Sequence, residues 1–343
     1  MNQLRVVCVG AGYFAQFHYA AWKRLEQEFA VQLVCVVDQD LEKAKQLASS
    51  LDIDHWATDL SQLSELAFDL VDVITPPTTH VALVTQALEM GKDVICQKPF
   101  TENREQAQRL VDVAHEAGQK IVVHENFRFM PWYRKIAEMH SKGAIGEVLN
   151  ISYRLRPGDG QGDQAYLDRQ PYFQTMPRFL VHETAIHMID VFRYLLGEMN
   201  SVSARLRKCN PAIAGEDSGL IVFEFESGAQ GVFDGNRCLD HAASNRRRTM
   251  GEMWLEGTQG TIRLDGEARI WLRQFGENDE QLVDYAWQDN GFGGDCVYLL
   301  TRHVVSHFLE NTELENQATD YLKNILIEES VYRSHEQRCV VSL

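Results

Sequence analysis

Between Leu4 and Val123, short runs rich in β-branched residues alternate with longer stretches whose apolar positions recur at helical spacing. That rhythm predicts strands at 4–9, 31–37, 70–74, 93–96 and 120–123, with a weaker one at 54–57. Helices are expected near 13–28, 41–50, 61–67, 78–90 and 103–117; Pro76-Pro77 opens the fourth and Gly91 ends it. Strands separated by helices build βαβ units, so this half predicts a doubly wound parallel sheet. After Asn126 the rhythm changes. Residues 127–146 and 177–197 read as helices, whereas 147–156, 201–208, 218–226, 229–237, 251–256, 260–264 and 268–275 read as strands broken by Gly and Asn or Asp turns. Strands that follow one another directly predict a mainly antiparallel sheet. The segment 157–163, PGDGQGD, has no apolar anchor and reads as a movable loop, either a surface turn or a substrate lid. Helical spacing returns at 295–310 and 317–335.

A chain of 343 residues exceeds what one hydrophobic core serves well. Two domains are therefore expected, 1–125 and 126–343, the second α+β with its C-terminal helices packing back. An apolar fraction of 45% lets both cores form without disulfides or metal staples. The seven cysteines contain no C-x-x-C pair, and three sit in strand-like runs as small hydrophobes, which fits a reducing compartment. The formal net charge of -16 repels polyanions and anionic membranes, so neither nucleic acid nor a membrane is an expected partner. The run Arg246-Arg247-Arg248 reads as a solvated loop. The N-terminal apolar run is too short for a signal peptide and no window is long and apolar enough to span a bilayer; a cytoplasmic protein is expected.

Gly10-Ala11-Gly12-Tyr13-Phe14-Ala15 follows the first strand and opens a helix, the context in which G-x-G-x-x-A binds a dinucleotide. Gly10 makes the tight turn, Gly12 admits the pyrophosphate close to the backbone, and Ala15 lets the helix pack on the strand. The helix N-terminus supplies amide donors and positive potential. Asp38 ends the second strand, where a carboxylate binds the adenine-ribose hydroxyls and repels an added phosphate, so NAD rather than NADP is expected. Thr75 ends the fourth strand on the carboxyl edge of the sheet, where such ligands bind.

With GAGYFA at 10–15, VVD at 36–38, TPPTTH at 75–80, CQKPF at 96–100, NFRF at 126–129 and ETAIHMID at 183–190, the chain resembles the Gfo/Idh/MocA oxidoreductases over essentially its whole length. The resemblance implies a Rossmann domain joined to an open-faced β-sheet domain, a nicotinamide cofactor, and oxidation or reduction of sugars, inositols and related compounds. It also implies a homodimer or homotetramer formed through the open sheet face. Longer segments, including RLRPGDGQGD and MPRFLVHETAIHMIDVFRYLLGE, are most similar to a subgroup containing D-apiose dehydrogenases, which oxidise a branched furanose to its lactone. Inositol or pyranose dehydrogenase, a reductase of an imine or enone, and a non-catalytic NAD sensor are the competing readings. The implied cofactor contacts include Tyr13, Phe14, His80, Gln97, Lys98 and Asn126 beside Gly10, Gly12, Ala15, Asp38 and Thr75. Where the family usually has Glu-Lys-Pro, this chain has Gln97-Lys98-Pro99, which withdraws a negative charge from beside Lys98.

Lys98 at a strand end and His187 are the implied catalytic pair: the lysine stabilises charge on the reacting oxygen, and the imidazole takes the hydroxyl proton. On a regular helix Glu183, His187 and Asp190 share a face, and a carboxylate there orients the imidazole or binds a second hydroxyl. His182 and His187 are five apart and diverge by roughly 140°, so they do not form a zinc helix, and no metal is expected. Arg128, Arg154 and Arg156 are candidates for substrate contacts or for structural ion pairs. Tyr153, Asp163, Arg178 and Asn236 are weaker substrate candidates chosen for loop or strand-end position.

Overall fold

A computed structural model describes residues 3–343. By contacts the chain divides into two units, one joining the chain up to Asn126 with Cys296–Lys323, the other Phe127–Asp295 with Asn324–Leu343.

In the first unit, strands β1 (Leu4–Val9), β2 (Val31–Val37), β3 (His55–Ala57), β4 (Leu70–Val73), β5 (Asp93–Gln97) and β6 (Ile121–His124) form a parallel sheet of order β3-β2-β1-β4-β5-β6. The order reverses between β1 and β4, and ligands of such sheets bind at the carboxyl ends beside that reversal. Helices α1 (Ala15–Leu25), α2 (Leu41–Ser50), α3 (His80–Glu89) and α4 (Arg104–Ala117) connect the strands. Local chemistry sets their ends. Asp40 and Asn103 cap α2 and α4 by accepting from Lys43 N and Gln106 N, and Gly118 in the left-handed region closes α4. The helix expected at 61–67 is only a 3-10 turn, Leu60–Leu63: Asp59 caps it, and only Leu60 and Leu63 bury side chains, too few to hold a longer amphipathic face.

The second unit opens with a 3-10 turn, Phe127–Phe129, and the helix expected from 127 begins only at α5 (Pro131–Ser141), because Pro131 is accommodated at a helix start and not inside one. Strand β7 (Val148–Leu155) buries Ile151, Tyr153 and Leu155 and exposes Asn150 and Arg154, the period-two signature of a half-covered sheet. The helix expected at 177–197 is broken. Leu180–Ala185 is a π-helical stretch, and α6 (Ile186–Leu196) follows it. Strands β8 (Met199–Arg207), β9 (Ser218–Phe225), β10 (Gln230–Asn236), β11 (Gly251–Gly257), β12 (Gly260–Leu264), β13 (Ile270–Gln274) and β14 (Gln281–Val283) continue the sheet. Helix α7 (Cys296–Glu310) belongs to the first unit and packs on α1, where Tyr298 donates to Glu28 Oε2 at 2.6 Å beneath the Arg24 guanidinium. Helix α8 (Ala318–Gln337) precedes the short edge strand β15 (Val341–Ser342).

The nine strands run β14-β13-β12-β11-β7-β10-β9-β8-β15, antiparallel except that β7 and β10 are parallel. One face carries α6, whose Phe192 meets Phe223 of β9 edge to face at 6.0 Å. The loop 157–163 is tied down: Gly160 N donates to Arg237 O, and Asn210 Nδ2 donates to the carbonyls of Gly160 and Gly162, both at 2.7 Å. Asp159 binds Arg237, which is buried among Tyr166, Phe173 and Phe179. Polar anchors thus replace the apolar ones that the segment lacks.

Candidate active site

At the carboxyl edge of the parallel sheet, Gly10 has φ +112°, and a Cβ there would lie 2.7 Å from Ile74 O, so only glycine fits. Gly12 faces open space with nothing within 4 Å of an added Cβ. Phe14 begins α1 without a side-chain cap, and Ala15 is buried against the sheet. The fingerprint therefore produces a cradle with helix-end amides not consumed by a cap. Asp38 accepts from Ala11 N at 2.7 Å and from Asp40 N at 2.9 Å. A carboxylate offers about four acceptor positions, so this one still has capacity for ribose hydroxyls. Tyr13 is exposed and Phe14 half-buried at the same turn.

Thr75 follows β4, its hydroxyl bonded to that of Thr79 at 2.7 Å. His80 is fully buried: Nε2 contacts Thr75 O at 2.9 Å, while Nδ1 contacts Pro99 O and Phe100 O. Burial pulls its pKa down against the pull of those carbonyls. The structure makes His80 a brace between two loops at the sheet edge, with both ring nitrogens against backbone carbonyls. Lys98 is half-buried just after β5, and its amide donates to Gln97 Oε1 at 2.9 Å. The Gln97 carboxamide is turned inward, toward His18 Nε2 at 2.8 Å and His124 Nδ1 at 3.2 Å. Asn126, two residues past β6, is also buried.

In the second unit His187 is buried, its ring stacked parallel on Phe127 with centroids 3.8 Å apart. Glu183 lies in the π-helical stretch, so the regular i, i+4 relation to His187 does not hold as expected; the extra residue in a π turn re-aims the side chains that precede it. Asp190 is fully buried and accepts from Arg128 Nε at 2.7 Å, Arg128 Nη2 at 2.5 Å and Asn324 Nδ2 at 2.8 Å. Of the candidates for substrate contact, Arg128 is thus in a buried bidentate pair, and Arg156 is buried against Asp234. Tyr153 is a core residue. Its side chain is wholly buried, stacked on Phe233 and donating to Thr249 O at 2.5 Å, because its place in β7 points inward. Arg154 points outward between Asp234 and Glu252 of the neighbouring strands. Asp163 and Arg178 are exposed, Arg178 lying over the Tyr332 ring, and Asn236 is buried with its Oδ1 accepting from Cys238 N. The basic run is paired rather than merely solvated: Arg246 meets Asp240, and Arg248 meets Glu267 and Asp289.

Sequence reasoning missed His18 and Asp72, which meet in the core of the first unit at 2.8 Å, with Trp22 Nε1 donating to the same carboxylate oxygen. The available signal was Asp72 itself, a charge inside an apolar strand, which demands buried partners.

The doubly wound sheet, its glycine cradle and its strand-end aspartate define a dinucleotide-binding domain. Residues 4–125 match the oxidoreductase family with an NAD-binding Rossmann fold, and residues 133–263 match the GFO/IDH/MocA C-terminal domain. The chain belongs to the GFO/IDH/MocA family and is an NAD-dependent oxidoreductase. It is 27% identical to a D-apiose dehydrogenase of Rhizobium rhizogenes, over 97% of this chain and 96% of that protein. It is 28% identical to another from Paraburkholderia graminis, over 100% of this chain and 90% of that protein. Among solved structures it is similar to an oxidoreductase from Agrobacterium radiobacter in complex with NAD+, L-tartaric acid and magnesium. That match has TM-score 0.89 and 26% identity, covering 99% of this chain and 98% of the other.

Proposed function

We propose that the enzyme oxidises the anomeric hydroxyl of a branched furanose of the D-apiose type, giving the lactone and NADH. One observation carries the substrate class: the likeness to two D-apiose dehydrogenases runs through both units, over 97% and 100% of this chain. A scyllo-inositol 2-dehydrogenase (NAD(+)) of Bacillus subtilis is 28% identical, but over only 76% of this chain and 73% of that protein.

NAD fits the residues present: the open space at Gly12, the uncapped start of α1 and the spare acceptor capacity of Asp38 suit the pyrophosphate and the ribose. When bound, the nicotinamide accepts a hydride from the sugar carbon. Gly10, Gly12 and Ala15 would hold the dinucleotide with Asp38, assisted by Tyr13, Phe14, Thr75 and Asn126. Lys98 would donate a hydrogen bond to the reacting oxygen and stabilise charge developing there. His187 would take the hydroxyl proton; stacking on Phe127 fixes the plane of its ring, and a base held in place needs no reorientation as the proton moves. Glu183 would bind a further hydroxyl or orient that ring. Arg154, Asp163, Arg178 and Asn236 remain proposed substrate contacts, while Arg128 and Arg156 serve through the ion pairs they make.

We also assign a homodimer or homotetramer built on the uncovered face of the nine-stranded sheet. Register aligns Val222, Val232, Ser152, Trp254, Arg263, Trp271 and Leu282 in one row across that face, and an apolar stripe of this kind favours a second copy. All seven cysteines are free, which suits the cytoplasm. The deciding experiment incubates the purified chain and NAD with D-apiose, other pentoses, hexoses and inositols, following NADH absorbance and identifying the product by mass. Preference for D-apiose with lactone formation supports the assignment. Turnover of an inositol alone transfers it to the inositol dehydrogenases, and no turnover with any substrate favours an NAD-sensing role.

A further inference from the structure

Behind Lys98 lies a buried polar chain that the proposed chemistry does not use. It runs from Asp72 on β4 through His18 on α1 to Gln97 at the end of β5 and His124 at the end of β6. His18 and Asp72 are 0% exposed, His124 1% and Gln97 7%, so solvent does not compete for the hydrogen bonds between them.

The orientation of the Gln97 amide settles the pattern. The backbone N–H of Lys98 points at one end of it from 2.9 Å and can only donate, so that end is the carbonyl oxygen. The NH2 group then faces both histidines, at 2.8 Å from His18 Nε2 and 3.2 Å from His124 Nδ1, and each of those nitrogens must accept. An accepting ring nitrogen carries no proton. His18 therefore holds its proton on Nδ1, where it donates to Asp72 Oδ2 at 2.8 Å beside the Trp22 indole, and His124 holds its proton on Nε2. An imidazolium at His18 would set an N–H against the amide N–H at 2.8 Å. The two rings also lie only 4.1 Å apart between centroids, which adds Coulomb repulsion against charging both. Cys8 on β1 and Cys96 on β5 adjoin the Asp72 carboxylate, and burial in its company raises both thiols, so neither supplies a competing charge.

We propose that Gln97 is a positioning residue, whose buried carboxamide holds His18 and His124 as neutral imidazoles of opposite tautomer while anchoring the amide of Lys98. No cation then stands behind the lysine. The consequence for turnover rests on the role proposed above for Lys98; the tautomers do not.

The test uses the full chain labelled with [15N]histidine and reads two-bond 1H–15N correlations at neutral pH, which distinguish protonated from bare ring nitrogens and both from imidazolium. The two rings are identified among the twelve histidines by the signals that move in Gln97→Glu, or in Gln97→Met should the first variant not fold. Wild type is expected to show one buried ring protonated only at Nδ1 and the other only at Nε2. In Gln97→Glu the carboxylate cannot donate, and the His18 pattern is expected to become that of an imidazolium between two carboxylates, with a pH–rate profile altered from wild type. An imidazolium at His18 in the wild-type chain, the reverse tautomers, or no change in the ring signals of Gln97→Glu would overturn the proposal. Because the spectra require no substrate, absence of sugar turnover counts against the proposed function alone.

Discussion

Arg128 is expected from the sequence either to contact substrate or to make a structural ion pair; the structure gives its guanidinium to Asp190, and the two readings differ in what breaking the pair does. The side chains are 9% and 1% exposed, joined by two near-parallel hydrogen bonds of 2.7 and 2.5 Å, with Asn324 completing the carboxylate from α8. Asp190→Leu takes the paired carboxylate from a buried guanidinium, and Arg128→Met takes the paired guanidinium from a buried carboxylate that Asn324 still serves. Leaving one charge of such a pair uncompensated costs about 3–5 kcal/mol. For a unit of roughly this size each kcal/mol lowers the midpoint by about 2–4 °C, so each single variant is expected to melt on the order of 6–20 °C below wild type. The double variant Arg128→Met/Asp190→Leu removes both charges and should recover part of the loss, giving a coupling energy of about 1–3 kcal/mol. Thermal unfolding of the four proteins without ligand, followed by far-UV circular dichroism, measures the cycle. An Arg128→Met chain that melts with wild type but binds sugar poorly would refute the structural reading and return Arg128 to the substrate.

Three further outcomes follow from the same geometry. NAD is expected to be used in preference to NADP because Asp38, already held by the amides of Ala11 and Asp40, cannot turn away from an added phosphate; equal kcat/KM for the two cofactors would remove Asp38 from the ribose site. Lys98→Ala and His187→Asn are each expected to lose about 10²–10⁴-fold in kcat with a much smaller change in NAD affinity, measured by steady-state kinetics and cofactor fluorescence, and wild-type turnover in either would dismiss that residue from the chemistry. Burial alone would raise the Asp159 carboxyl, but the adjacent Arg237 charge outweighs it and the net displacement is downward, so its pairing stabilises the 157–163 loop above the unfolded value of about 3.9 and is lost as pH falls through the lower folded value. Hydrogen exchange at the Gly160 amide should therefore stay protected to about pH 4; loss of protection well above that would show that something other than Asp159 holds the loop.

The parallel sheet was legible because each of its signals is local. An apolar run bounded by glycine or proline predicts a buried strand whatever lies elsewhere, and β1 and β2 begin and end where the pattern placed them. The cradle was legible for the same reason: Gly10 answers to a backbone angle and Asp38 to a strand end. Where the reading failed, the deciding partner was distant or the deviation small. A 3.6-residue period over 177–197 cannot reveal that one stretch is wound as a π-helix, since a single inserted residue leaves the apolar pattern nearly intact while re-aiming Glu183. Tyr153, a substrate candidate by its place near a strand end, belongs to the core, because alternation along β7 predicts two faces but not which is covered.

Charged and polar side chains divide along the same line. Asp190 finds Arg128 at a separation of 62 residues and Asn324 at 134; Gln97 finds His18 at 79. No periodicity carries such pairings, but each residue advertises its need, because a carboxylate or imidazole inside an apolar stretch cannot be buried alone without a cost of several kcal/mol. Asp72 in LVDV and Asp190 in IHMIDVF are legible as demands for a partner even where the partner is not. Gln97 carries that logic to the sheet edge: a carboxylate there would require donors from the two histidines, whereas the amide requires acceptors, so one side-chain atom exchanged between oxygen and nitrogen sets the protonation of rings on two other elements. The backbone N–H of the next residue, Lys98, leaves the amide only one way to face.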